Sequence, residues 1–381
     1  MVPRKLPPEI LDEIIWLLPK ATQLVLCRTS QLFHSLVLHS LYKNICLTRS
    51  SSLMCLCTTL RSNSTAAVCV KRLSISYKLA RSPNTLYLAS FYKNLKAALL
   101  QMVNLRELAL LVFDPTFITT ILSPTTQPLQ FPLLNYFETV LPLDSSLLSF
   151  IQRHPTLDYL EVSHHENFSD DTPSRSRDCA TVELRRTPVL RKLRHYAGNG
   201  VYLETLAPAY PLPLRSAHVV WSAAQACDGP IKSLSAAASC TLNVLSCRRR
   251  GWNSDLIGLI STHLPNIYML DILCVFVVDA QFPTGYQEEV GHYLSRYPNL
   301  QHLRISREVQ FRSSEIPCDL DHELAIVSEW GAKCPSLSVI TLPRTSLSSS
   351  PSTLPTYANI QTRALTSNGV GSLTMFGLPL I

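Results

Sequence analysis

The chain has 381 residues, 46% of them hydrophobic and 16% charged, with 34 Lys and Arg against 27 Asp and Glu for a formal net charge of +7. A charged share below the roughly 25% of ordinary soluble domains excludes a chain disordered throughout and leaves ample material for a large core. Basic residues are scattered apart from Arg248–Arg250 and the stretch Arg185–Arg194, so they do not form the single stripe of a nucleic-acid binder.

Leu6-Pro7-Pro8-Glu9 opens the first predicted helix, which runs over 8–18. Proline suits the first turn, where its missing N–H has no intrahelical partner to lose. Glu9, Asp12 and Glu13 favour the positive end of the helix dipole. Ile10, Ile14 and Leu18 recur on one face, and Leu11, Ile15, Trp16 and Leu17 extend the apolar surface around most of the cylinder. Pro19 stops the helix. A second short helix is predicted over 21–27 with Leu24, Val25 and Leu26, and a third over 31–39 with Leu32, Phe33, Leu36, Val37 and Leu38. The run YKNICL, Tyr42–Leu47, reads as a strand leading onward. A unit of roughly 40 residues seldom stabilises itself. Leaving Leu6, Ile10, Ile14 and Leu18 in water would forgo roughly 1.5–3 kcal/mol each. Their face is therefore expected to meet another chain or, as an end cap, the segments that follow.

Those segments repeat. The pattern P-x-L-x-x-L-x-L, with Pro sometimes replaced, appears from Met102, His154, Leu264, Tyr297 and Cys334. Weaker copies begin at Phe131, Thr187, Pro211 and Ser239, and Val70 begins a candidate first copy. Leu105, Leu134, Leu157, Leu190, Leu214, Leu242, Ile267, Leu300 and Leu337 lead the copies, and helix-like stretches from Asp144, Asn253, Tyr286 and Asp321 run straight into four of them. Helix, short loop, strand and return make one coil of a solenoid. The spacing matches an irregular, partly oversized leucine-rich repeat. The predicted fold is therefore α/β: three helices over 1–47, a degenerate leucine-rich-repeat solenoid over 48–343, and a Ser/Pro-rich tail or cap over 344–381. The polar stretch 170–186 reads as a loop or insertion.

The opening module resembles an F-box, the three-helix unit of substrate receptors in cullin–RING ubiquitin ligases. The family pattern begins Leu-Pro-x-Glu, matched by Leu6, Pro7 and Glu9, and continues through Ile10, Leu11, Ile14, Ile15 and Leu18 to Leu24 without a gap. Thr29, Ser30, Gln31, Leu32 and Phe33 stand where the family has Val-Cys/Ser-[KR]-x-[WF]. Thr22, Thr29 and Gln31 depart from the usual residues. The resemblance covers about a tenth of the chain and implies binding to a Skp-family adaptor, and through it a cullin, by Leu6, Pro7, Glu9, Ile10, Ile14, Leu18 and Leu24. It implies a receptor that performs no chemistry and holds a protein target. LYKNICL is similar to the exit strand of fungal-type F-box proteins with degenerate leucine-rich repeats.

In such a coil the leucines point inward and the alternate strand residues face outward from the core, on the concave side. Glu107, Ala109, Tyr159, Glu161, Lys192, Arg194, Ser216, His218, Ser246, Arg248, Asp271, His302 and Arg304 are the predicted outward set. Its mixed charge suits a protein surface better than a polyanion. No G-x-S-x-G, P-loop or G-x-G-x-x-G occurs; Gly369-Val-Gly371 lacks the third glycine. His164-His165-Glu166 reads as a loop, since adjacent strand residues point to opposite faces. The 12 cysteines include one C-x-C, Cys55 and Cys57, with no second pair to complete a zinc set. No enzyme activity, cofactor or metal is expected. The acidic residues of the first helix do not fit a secretory leader, and 256–280 carries His263, Pro265 and two aspartates, a poor membrane span. A cytoplasmic or nuclear substrate receptor is the expected reading. A ligase-independent repeat scaffold, with the helices serving only as cap, is the alternative, and a basic nucleic-acid-binding repeat protein is the third.

Overall fold

The computed structural model describes residues 6–76, 89–112, 117–123, 127–163, 190–206, 211–221, 226–277, 282–309 and 320–343. The stretch 170–186, the tail 344–381, the His164-His165-Glu166 triplet and Gly369-Val-Gly371 lie outside the described residues. The fold is mixed α/β with open parallel β-structure, in two compact units, Met1–Leu242 and Asn243–Ile381.

The first unit opens with α1 Pro8–Leu17, α2 Lys20–Leu26 and α3 Gln31–Lys43. Pro7 and Pro19 occupy the N-cap positions of α1 and α2, and the Ser30 hydroxyl accepts the Phe33 N–H at 3.2 Å to cap α3. Gln23 is buried and locks the α1–α2 elbow, its amide donating to the Ile15 and Leu18 carbonyls at 2.9 Å each. The third helix runs four residues past its predicted end at His39, to Lys43. No Gly or Pro intervenes to stop it, so the strand starts at Asn44 rather than Tyr42.

From there the unit is a succession of coils, each being one strand with the crossover that follows it. The strands are β1 Asn44–Leu47, β2 Arg72–Ile75, β3 Glu107–Leu110, β4 Tyr136–Thr139, β5 Tyr159–Val162, β6 His195–Asn199 and β7 Ser216–Val220. Each pairs in parallel with the next in chain order. Parallel neighbours require a crossover. It is supplied by α4 Ser50–Ser62 and α5 Ser64–Cys69, then α6 Ala89–Leu99, a π turn Ile118–Leu122, α7 Ser145–Gln152 and α8 Gly200–Leu206. α9 Asp228–Ala238 follows β7.

The register stacks like residues. Ile45, Leu73, Leu108, Phe137, Leu160, Tyr196 and Ala217 form one continuous row. All but Ile45 are buried. A second row places Gly198 between Val162 and Val219. A Cβ there would meet the Val162 carbonyl oxygen at 2.6 Å, and φ is +153°, so only glycine fits. His154 links two coils: the Phe131 N–H donates to its Nε2 at 3.0 Å, and its Nδ1–H donates to the Phe150 carbonyl at 2.7 Å.

The register corrects one phase. His195 pairs with Tyr159 and Tyr196 with Leu160. The residue equivalent to Leu157 is therefore Leu193, not Leu190. The Arg194 and His195 N–H groups both bond the Asp158 carbonyl, as those of Asp158 and Tyr159 bond Asn135. Leu190 and Leu193 are both buried and three apart, which lets the sequence pattern fit one turn early.

The second unit repeats the plan with β8 Val244–Arg250, α10 Ser254–His263, β9 Met269–Val277, α11 Thr284–Leu294, β10 His302–Val309, α12 Leu320–Lys333 and β11 Val339–Thr341. Its four strands are parallel in chain order, with Leu245, Leu270, Leu303 and Ile340 in one row. The Asn253 side chain caps α10 by accepting the Leu256 N–H at 3.0 Å. Residues just before the coil prolines again reach the previous coil: the Tyr297 hydroxyl donates to the Ile257 carbonyl at 3.1 Å, and the Cys334 thiol to the Tyr297 carbonyl at 3.4 Å.

Candidate functional site

Two surfaces of the first unit stand out. The first is the exposed apolar surface on and beside α1 and α2. Leu6, Ile10, Ile14, Trp16, Leu17, Leu24, Val25 and Leu32 account for eight of the fifteen exposed large hydrophobic side chains among the described residues. They crowd the first 33 positions, and Leu17 reaches 76% exposure. The module covers only part of itself: α1 and α2 pack on α3, leaving Ile15 and Val37 buried, while α3 packs on α5 and β1. Exposed apolar surface concentrated in this way is of the kind that marks interaction surfaces.

Of the predicted adaptor-binding residues, Leu6, Pro7, Glu9, Ile10, Ile14 and Leu24 are exposed. Leu18 is not; it is half-buried at the elbow, where its carbonyl takes the Gln23 amide. Sequence reasoning assigned Leu18 to the open face because it continues the Ile10–Ile14 spacing, but the helix ends at Leu17 and the chain turns. Trp16, Leu17, Val25 and Leu32 are exposed members that the spacing rule left aside. The signal for them was the excess of apolar residues itself, more than one face can hold.

The second surface is the outward side of β3–β6. Asn44, Arg72, Glu107, Tyr136, Tyr159, His195 and Ser216 form one register row. Ser74, Ala109, Glu138, Glu161, Ala197 and His218 form the next. Tyr136 and Tyr159 stack with centroids 4.4 Å apart and planes 10° from parallel. The Tyr136 hydroxyl donates to Glu138 at 2.9 Å and the Tyr159 hydroxyl to Glu161 at 2.7 Å, and the Ser163 hydroxyl adds a second bond to Glu161 at 2.9 Å. Glu138 and Glu161 occupy the same register on adjacent strands. Burial and then the neighbouring Glu161 charge hold the Glu138 carboxyl above the usual range, against the lowering bond from Tyr136. Burial, followed by the carboxylates, pushes both tyrosine hydroxyls well above theirs. Beside the cluster, His195 Nδ1 lies 2.7 Å from the Ser216 hydroxyl.

The predicted outward residues Glu107, Ala109, Tyr159, Glu161, Ser216 and His218 stand in these two rows. Lys192 and Arg194 do not; the strand starts at His195, and the shifted phase puts His195 and Ala197 in their place. Tyr136 and Glu138 went unpredicted, although Tyr136-Phe137-Glu138-Thr139 after Leu134 alternates as Tyr159-Leu160-Glu161-Val162 does after Leu157.

In the second unit the outward charges pair. Asp271 lies 3.7 Å from Arg304, and Arg248 lies 2.9 Å from Glu308. Burial raises the Asp271 carboxyl, opposed by Arg304 and by a Ser246 hydrogen bond. His302 Nε2 lies 3.2 Å from the Tyr268 hydroxyl, and burial lowers its basicity. Cys57 is buried in α4 with its thiol pushed up to about 11 by burial, while Cys55 is exposed. Among the described residues no group of three or more His, Cys, Asp or Glu side chains could hold a metal, and no helix is long and apolar enough to cross a membrane.

No protein-family model matches the chain. No curated protein matches it either.

Proposed function

We propose that this chain is the substrate-recognition subunit of a cullin–RING ubiquitin ligase of the Skp–cullin–F-box type. In this reading α1 and α2 dock on a Skp-family adaptor, and through it a cullin, while the coils form a degenerate leucine-rich-repeat solenoid that holds a target protein. The receptor would contribute no chemistry of its own. It would raise the effective concentration of a target lysine near the ubiquitin-loaded partner.

One observation carries the reading: more than half of the exposed large hydrophobic side chains among the described residues gather on and beside α1 and α2, and the Leu6-Pro7-x-Glu9 opening is itself exposed. Replacing Ile10 and Ile14, both more than 40% exposed, tests it. The double variant Ile10→Asp, Ile14→Asp is expected to abolish capture by purified Skp-family adaptor while the circular-dichroism melt stays near that of the parent chain. Undiminished capture would overturn the proposal.

A scaffold in which the helices serve only as cap draws on a different observation: β1 pairs with β2 and α3 packs on α5, so the module is continuous with the coils. Deleting 1–47 would strip the first strand from the sheet in either reading. The two aspartates separate the readings because they change the exposed face alone. A scaffold predicts no adaptor capture by the parent chain.

A further inference from the structure

Three of the five acidic side chains on the described strands are met by arginine, and so is Asp158 just before β5. Arg72 pairs with Glu107, Arg194 with Asp158 at 3.5 Å, Arg304 with Asp271 at 3.7 Å and Arg248 with Glu308 at 2.9 Å. Glu138 and Glu161 are the exception. Both are half-buried, and among the described residues neither has a Lys, Arg or His within ion-pair distance. Their bonds come from Tyr136, Tyr159 and Ser163, neutral donors that fix the carboxylates in place without balancing their charge. Two like charges side by side on neighbouring strands, partly withdrawn from water, are unfavourable unless a cation joins them.

The surroundings define what that cation would be. Adjacent strands lie about 4.8 Å apart, so the two carboxylates present their acceptors side by side, and the planar, five-donor guanidinium fork can meet them with more hydrogen bonds than a three-donor ammonium. The stacked Tyr136–Tyr159 pair, tied down through both hydroxyls, gives a rigid wall of ring edges for an aliphatic stem. Phosphate groups would be repelled, which sets this surface against nucleic acid.

We propose that the Tyr136–Glu138–Tyr159–Glu161 cluster docks an arginine side chain of the target protein, its guanidinium bridging the two carboxylates and its stem lying along the tyrosine wall. The proposal rests on the reading of the coils as a target-holding surface and names the chemistry that surface recognises. The arginine would complete on the strand face the pairing that Arg72, Arg248 and Arg304 make within the chain.

The test is a titration of the full chain, labelled with carbon-13 on its tyrosine rings, with Nα-acetyl-arginine amide. The Tyr136 and Tyr159 signals are assigned from the two Tyr→Phe variants. A saturable shift of both signals is expected with the arginine probe. The isosteric, uncharged citrulline amide should give none, and the lysine amide a clearly weaker response. The double variant Glu138→Gln, Glu161→Gln keeps the acceptors for the tyrosine hydroxyls and should bind about tenfold weaker or worse, as the loss of charge-assisted hydrogen bonds implies. Its remaining tyrosine signals report whether it is folded. An equal response to citrulline or lysine, undiminished binding by the double variant, or no saturable shift at all would overturn the proposal. No adaptor takes part, so failure here leaves the docking reading of α1 and α2 standing, and failure of that reading leaves this titration unaffected.

Discussion

The helical module and the coils draw on the same apolar alphabet and dispose of it differently. In the coils, Leu73, Leu108, Leu160, Leu245, Leu270 and Leu303 each meet a nonpolar or aromatic side chain on the next strand and are at most 1% exposed. In the module, Ile15 and Val37 are buried while Ile10, Ile14, Leu17, Leu24 and Val25 stand between 43% and 76% exposed. The difference lies in stacking. Each strand has a parallel neighbour whose apolar row continues its own. The first helices have only α3, and one helix cannot cover two on all sides. Apolar content therefore measures folding in one region and surface in the other.

The sharpest break of that comparison is a pair of leucine truncations. Leu160→Ala, at 0% exposure in the middle of the ladder, should cost about 2–5 kcal/mol through lost transfer energy and the cavity left behind. Leu17→Ala, at 76% exposure, should stay within about 0.5 kcal/mol. Urea denaturation followed by circular dichroism measures both. Equal costs would mean that the α1 face is packed within the chain after all.

Next in size is the buried imidazole between coils. His154 is 1% exposed, fixed as the Nδ1–H tautomer by Phe150 and Phe131, and burial lowers its pKa from 6.5 to about 4. The unfolded chain takes up the proton first. Stability is therefore full above pH 6.5 and falls as pH drops toward 4, by up to about 3 kcal/mol from this group. His154→Phe should abolish this part of the acid slope while lowering stability at neutral pH, because the Phe131 N–H and the Phe150 carbonyl lose their side-chain partner. Urea midpoints at pH 7 and about pH 5 separate the two effects, and an unchanged slope in the variant would remove His154 from the account.

The strands were legible because Leu108, Phe137, Leu160, Ala217, Leu245, Leu270 and Leu303 each follow their leading residue by three positions. At β6 the same rule slipped, since Leu190 and Leu193 fit the pattern equally well and only the bonds to Asp158 choose between them. The exposure of Ile10 and Ile14 followed from helical spacing. The partial burial of Leu18 goes with the elbow, where the Gln23 amide bonds its carbonyl, a contact between residues that no periodicity links. The carboxylate cluster was half visible for a similar reason. Tyr159 and Glu161 fell on the predicted face, but their joining with Tyr136 and Glu138 is a matter of register between strands 23 residues apart, which the pattern within one copy does not specify.

The smallest effect separates two glutamates on one strand face. Glu107 meets Arg72, whereas Glu138 meets Tyr136 on its own strand, Glu161 and Tyr159 on β5, and Ala109 on β3. Burial and then Glu161 raise the Glu138 carboxyl, so the folded chain holds this proton more tightly than the unfolded one. Stability from this group therefore falls as pH rises from the ordinary carboxylate range through the folded value. Glu138→Gln should flatten that descent and raise neutral-pH stability by roughly 0.2–1 kcal/mol, the size of a relieved like-charge neighbour pair. Glu107→Gln should lower it by about 0–1 kcal/mol, the range for a partly exposed ion pair. Thermal melts near pH 4 and pH 7 read both variants. Opposite signs would mean that the fold balances one carboxylate and leaves the other for a partner. A loss of neutral stability in Glu138→Gln would mean that the tyrosine hydroxyls already satisfy the charge, and that the strand face has no vacancy for an arginine.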